Sequence, residues 1–176
     1  MCIRDSLYVT HNQEEALTMS DRIAVMRNGV FDQIAPRMEV YARPATAFVA
    51  SFVGQSNQIE GVVRGVEGDL ARLDWKGIEL VVPKPADCSA GERVLFSIKY
   101  EDVELVTGTN REGVEKGSLR GTLRDIIFKG QTANYFISLS NGAEIVASGT
   151  PRTLALQPGE SVIAHWPAKA GNSFRL

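Results

Sequence analysis

The sequence predicts an α+β protein in two parts: a short mixed α/β stretch over residues 1–55 and an all-β region over residues 56–176. Three observations carry this. Between residues 7 and 54, a β-prone run, helix-capping residues, an Asn-Gly turn between apolar runs and two helix-opening prolines follow one another. From Ile59 onward, short β-rich runs alternate with turn residues every ~8–12 positions, the spacing of a sandwich or barrel. The charge also shifts, from net −1 over residues 1–55 to −5 over 56–115 and +4 over 116–176. The β region therefore reads as two units of similar design, 56–115 and 116–176, distinct or mutually attracting.

Leu7–Thr10 is apolar and β-prone, the end of a buried strand. Thr10 or Asn12 then offers an N-cap, with Gln13 or Glu15 three residues on, and the helix continues to about Ser20. Arg22–Ala35 is a hairpin, because Asn28-Gly29 supplies a type I′ turn between two apolar runs. Pro36 opens a helical stretch whose apolar side is Met38, Val40 and Tyr41. Pro44 fits the first turn of a second helix, Ala45–Val53, and Gly54 ends it. The β runs that follow are Ile59–Gly65, Leu70–Trp75, Ile78–Pro83, Arg93–Lys99, Val103–Val106, Gly117–Phe128, Ala133–Ser140, Glu144–Ser148, Ser161–Trp166 and Ser173–Leu176. Thr107–Lys116 is polar and glycine-containing, a loop or linker. Gly91-Glu92 and Gly159-Glu160 each precede a strand, a faint echo of an internal repeat.

Composition narrows the function classes. The 176 residues are 44% apolar and 23% charged, a globular profile with net charge −2, so no global field attracts polyanions or anionic lipid. Cys2 and Cys88 are too few for a metal cluster or a disulfide scaffold, which points to a reduced setting. No apolar run approaches the ~18 residues of a membrane helix, and Met1–Ser6 has no signal-peptide core.

Tyr8-Val9-Thr10-His11-Asn12-Gln13-Glu14-Glu15-Ala16 resembles the switch-histidine segment of ABC ATPases. Asp21–Gly29 resembles the hairpin that follows it, and Tyr41–Pro44 and Phe48–Gly54 resemble the helices that close the nucleotide-binding domain. The remaining two-thirds resembles the OB-like TOBE domain of importer ATPases for polyamines, ferric iron and sugars. Glu101-Asp102-Val103 stands where that domain carries an Arg-Pro-Glu-Asp turn, with Lys99-Tyr100 replacing the Arg-Pro. Gly121–Gly130, Tyr135, Leu139–Gly142 and Trp166-Pro167 follow its second half. On this resemblance residues 1–55 are the C-terminal remnant of an ABC nucleotide-binding domain and residues 56–176 the TOBE domain. Met1–Ser6 does not match the expected preceding strand and reads as a cloning or assembly scar.

ABC-type hydrolysis needs a glycine-rich loop ending Gly-Lys-Ser/Thr, an acidic strand end that holds Mg²⁺, and a Ser-Gly-Gly signature loop. None occurs in this sequence. One part is present. The resemblance makes His11 the switch histidine, which in the parent hydrogen-bonds the γ-phosphate of ATP; a neutral imidazole can donate from one nitrogen and accept at the other. It further implies ATP and Mg²⁺ as cofactors of the intact parent, none bound to this chain alone, and no ATPase activity of the isolated chain. The implied partners are membrane permease subunits and a second ATP-binding subunit as a homodimer, on the cytoplasmic face of the membrane without insertion into it. Phe52–Asn57 leans towards the polyamine and iron group.

Other residues read more plainly. Glu14 and Glu15 are first-turn acids of a helix, His165 is a half-exposed strand residue, and Cys88 has no role. Trp75, Trp166, Phe128, Tyr135 and Phe136 are core and strand-face aromatics. The basic residues of the last third are scattered between turns without an aromatic stripe, which argues against nucleic-acid binding. The competing class is a free-standing OB-like module that binds a small ligand, an anion or oxyanion, in a regulatory role.

Overall fold

The computed structural model describes residues 6–107, 118–151 and 156–176. The expectations for residues 1–5 and for the linker over 108–116 lie outside the described residues. The chain divides into two compact units, Met1–Gly54 and Gln55–Leu176.

The first unit runs α1 (Gln13–Met19), β1 (Arg22–Arg27), β2 (Val30–Pro36), α2 (Arg37–Ala42) and α3 (Ala47–Phe52). Leu7–Thr10 forms no strand, which corrects the expectation. A strand needs a neighbour for its backbone groups; none of the described residues pairs with this run, and Leu7 and Val9 are 94% and 85% exposed. Asn12 rather than Thr10 caps α1, its Oδ1 accepting from the N–H groups of Glu14 and Glu15 at 3.0 and 3.4 Å. The hairpin of β1 and β2 turns at Asn28-Gly29 with both residues at positive φ, +53° and +81°, as type I′ requires.

The second correction concerns Pro44, which lies before the last helix rather than in its first turn. Thr46 is the N-cap, its hydroxyl accepting from Val49 N at 3.2 Å. Gln33 holds the segment before it, donating to Arg43 O at 3.1 Å and accepting from Ala45 N at 2.8 Å. Val40 does the burying expected of α2, whereas Met38 points away, 68% exposed. Val25, Ala35, Val40, Val49 and Val53 form a small core.

The second unit contains β3 (Ser56–Glu67), β4 (Leu70–Trp75), β5 (Ile78–Pro83), β6 (Arg93–Lys99), a 3₁₀ turn (Tyr100–Asp102), β7 (Glu104–Thr107), β8 (Leu119–Phe128), β9 (Ala133–Leu139), β10 (Glu144–Gly149), β11 (Ser161–His165) and β12 (Asn172–Arg175). Two antiparallel five-stranded sheets result, with orders β12-β6-β3-β4-β5 and β7-β11-β8-β9-β10. The orders correspond strand for strand. Each half contributes four strands to its own sheet and gives its fifth to the other: β7 follows β6 in sequence but pairs with β11, and β12 follows β11 but pairs with β6.

The halves also repeat their irregularities. Register shifts fall between Val63 and Gly65 in one and between Leu123 and Asp125 in the other. The Gly-Glu echo is built into both. Gly91 N donates to Val63 O and Val63 N to Glu92 O, while Gly159 N donates to Leu123 O and Leu123 N to Glu160 O, all at 2.8–2.9 Å. One core spans both sheets and includes Ile59, Leu73, Phe96, Tyr135, Ile137 and Val162. Trp75 and Trp166 are buried as expected, with the Phe96 and Trp166 rings 5.9 Å apart. Phe128 is not a core residue: it ends β8 beside the Lys129-Gly130 turn and is 68% exposed.

Candidate functional site

His11 sits in the bend between Thr10 and the start of α1, exposed to solvent. The backbone on both sides of it is fixed. Thr10 Oγ1 accepts from Asn12 N at 2.9 Å and donates to Glu15 Oε2 at 2.7 Å. Tyr8 OH donates to the same carboxylate oxygen at 3.0 Å. These donors, the Thr10 hydroxyl first, hold the Glu15 carboxyl below its usual range, and the same contact raises the Tyr8 phenol. Glu15 is thus not simply a solvated first-turn acid; it ties the segment before His11 to the helix after it. Among the described residues the imidazole has no hydrogen-bond partner. The arrangement therefore presents a donor–acceptor ring on a braced turn.

Two residues, in roles that the sequence did not show, complete this brace. Gln13 Oε1 accepts from Gly54 N at 2.9 Å, a contact across 41 positions. Arg37 Nη1 donates to the carbonyls of Leu17, Thr18 and Ser20 at 3.3–3.4 Å, closing the C-terminal end of α1. Neither could be read from local pattern, since both depend on the chain returning to α1.

In the β unit Lys99 ends β6, Tyr100–Asp102 form the 3₁₀ turn after it, and Tyr100 N donates to Gln55 O at 3.2 Å. Lys99 is buried, and loss of hydration pushes its ammonium below the ordinary range, while Glu101 and Asp102 act against the shift. Burial raises the Asp102 carboxyl. Nearby, the buried Asn57 side chain on β3 reads both backbone groups of Val146 on β10. Its Nδ2 donates to Val146 O and its Oδ1 accepts from Val146 N, each at 2.8 Å. His165 is partly buried and lies 3.6 Å from Glu104 on the paired strand.

Among the described residues, no group of three or more His, Cys, Asp or Glu side chains could hold a metal ion. No helix among them is long and apolar enough to cross a membrane.

Comparison with known proteins fits this geometry. Residues 96–174 match the family model described as TOBE domain. The spermidine/putrescine import ATP-binding protein PotA of Rubrobacter xylanophilus is 37% identical over 169 residues, 93% of this chain and 43% of its own. PotA of Pseudomonas aeruginosa strain UCBPP-PA14 is 33% identical over 174 residues, 96% of this chain and 48% of its own. The chain thus spans less than half the length of either relative. Among solved structures, the cytoplasmic molybdate-binding protein ModG with molybdate bound aligns with a TM-score of 0.56 at 24% identity, over 66% of this chain and 94% of that one. At that identity the likeness supports the OB-like fold alone. With its TOBE domain and matches running through both units, the chain belongs to the family of ABC importer ATP-binding subunits, as a C-terminal part of one.

Proposed function

We propose that this chain is the part of a polyamine importer's ATP-binding subunit that carries the switch histidine and the TOBE domain, and that the intact protein couples ATP hydrolysis to solute uptake. The observation that carries the reading is the alignment with polyamine-import ATP-binding proteins over 93–96% of the chain. In this reading residues 1–55 close a nucleotide-binding domain and residues 56–176 form the regulatory β domain. Two such subunits assemble beneath membrane permeases on the cytoplasmic face.

Of the groups that Mg²⁺-ATP chemistry requires, the chain supplies one. His11 is exposed on a braced backbone, suited to hydrogen-bonding a terminal phosphate oxygen. No phosphate-cradling loop or paired carboxylates accompany it in this sequence, so the residues present do not by themselves hold the nucleotide. The purified chain is expected to release no phosphate from ATP with magnesium. In the intact parent, His11→Ala is expected to lower ATP hydrolysis at least about a hundredfold while leaving nucleotide binding in place. Magnesium-dependent phosphate release by this chain, lost in His11→Ala, would overturn the division of roles. An intact His11→Ala parent with normal turnover would remove the histidine from the mechanism.

A further inference from the structure

The two halves of the β unit share one register, so their outer faces can be compared position by position. In the first half the row across three strands is Asp74 on β4, Val62 on β3 and Arg93 on β6. Both charges are matched there: Arg64 donates to Asp74 Oδ2 from Nε and Nη2 at 3.0 and 2.6 Å, and Arg93 pairs with Glu60 at 3.1 Å. The same row in the second half is Ser138 on β9, Thr122 on β8 and Ser161 on β11. Three hydroxyls stand abreast. Glu60, one residue before Gly61, is replaced by Arg120, one residue before Gly121.

Residues paired across antiparallel strands share a face, as do positions two apart along a strand. Arg120, Thr122, Ser138 and Ser161 therefore lie on one side of the sheet. With Gly121, Leu139 and Ser140 they line an open depression of about 380 Å³. No lining residue is acidic, and among the described residues Arg120 has no ion pair. The other arginine of this half that matches the first, Arg124, is held by Glu144 at 2.8 Å. The half that carries this face is net +4, against −5 for the half that lacks it.

We propose that this face of the second sheet binds a small free tetrahedral oxyanion of phosphate size. The Arg120 guanidinium supplies the charge and fixed donors. The hydroxyls of Thr122, Ser138 and Ser161 rotate to donate to the remaining oxygens. One exposed cation in an open depression sets the affinity in the millimolar range, a Kd on the order of 1–10 mM.

The test uses the full chain labelled with ¹⁵N, titrated with orthophosphate at constant ionic strength. The amides of Thr122, Ser138 and Ser161 are expected to shift saturably. Arg120→Glu and Ser138→Asp, which write the first half's acids into the second, are each expected to weaken binding about tenfold or more. Arg120→Gln serves if the charge reversal does not fold, a point the amide spectrum itself reports. Lys169→Glu, the same charge change elsewhere in this half, should leave the saturation curve in place. Absence of saturable shifts, or equal binding by the Arg120 variants, would overturn the site. Sedimentation with anionic phospholipid vesicles separates the two sources of phosphate: vesicle binding without a response to orthophosphate would reassign the face to a lipid surface and defeat the proposal.

Discussion

Gly61 and Gly121 hold the same place in the two halves, and in both a side chain has nowhere to go. A Cβ on Gly61 would stand 2.6 Å from Asp74 O and 2.7 Å from Leu73 Cγ; one on Gly121 would stand 2.6 Å from Ser138 O and press on Ile137 Cγ2. Backbone oxygens cannot retreat cheaply, so Gly61→Ala and Gly121→Ala are each expected to destabilise the β unit by about 1–3 kcal/mol, read as a lower urea midpoint at unchanged m-value. The sequence shows a glycine inside each β run; it does not show that each faces a partner strand's carbonyl. Lys99 gives a second test at this scale. Its folded-state pKa is lowered, so in the window from that value up to the ordinary 10.5 the unfolded chain binds more protons. Stability contributed by this group therefore rises with pH through that window. Lys99→Met lacks the rise, and the difference between the two stability curves isolates it from Tyr100 and Tyr135, whose raised pKa values both proteins share. Parallel curves would show that Lys99 is not desolvated as placed.

At the scale of elements, the hairpins were legible because turn residues announce them: all ten β runs expected after Ile59 correspond to strands, most within one to three residues of their bounds. The exchange of fifth strands was not legible. It pairs β12 with β6, from Asn172 against Ser97 to Arg175 against Val94, and no local pattern encodes a partner more than seventy positions away. Leu7–Thr10 shows the opposite failure, where the run is β-prone and no partner among the described residues pairs with it. The exchange makes a directional prediction. Removing residues 172–176 takes the edge strand from the first sheet, with the Leu176 N to Arg93 O bond of 3.1 Å and the Arg175 to Glu92 ion pair of 2.9 Å. Hydrogen exchange should then accelerate in β6, in the half that did not lose sequence, while β8 and β9 keep their protection. Equal loss in both halves would mean the sheets unfold as one body.

Across the whole molecule, the two units differ in what they bury. The β unit closes a core drawn from eight strands, four from each sheet. The first unit rests on a cluster of five small buried residues, one two-stranded sheet and helices of six or seven residues, each short for independent stability. It also exposes Met19, Met26, Val30, Phe31, Ile34 and Met38, all at least half accessible, an apolar surface of the kind that marks a protein interface. That surface fits the reading in which the rest of a nucleotide-binding domain covers it. His11 stands out in the sequence because a segment resembling a known motif carries it, and its role remains a proposal, whereas the row of hydroxyls beside Arg120 depends on three strands in register and has no sequence signature. Native-state hydrogen exchange of this chain should show two classes of protection: amides of β1, β2 and α3 opening at low free energy, and those of β3, β6, β8 and β9 opening only with global unfolding. Added to an intact parent, the first class should move to the slow end while the second stays where it is. Uniform protection of this chain would mean that the first unit draws stability from contacts its own small core does not supply, and would weaken the case that it is the closing piece of a larger α/β domain.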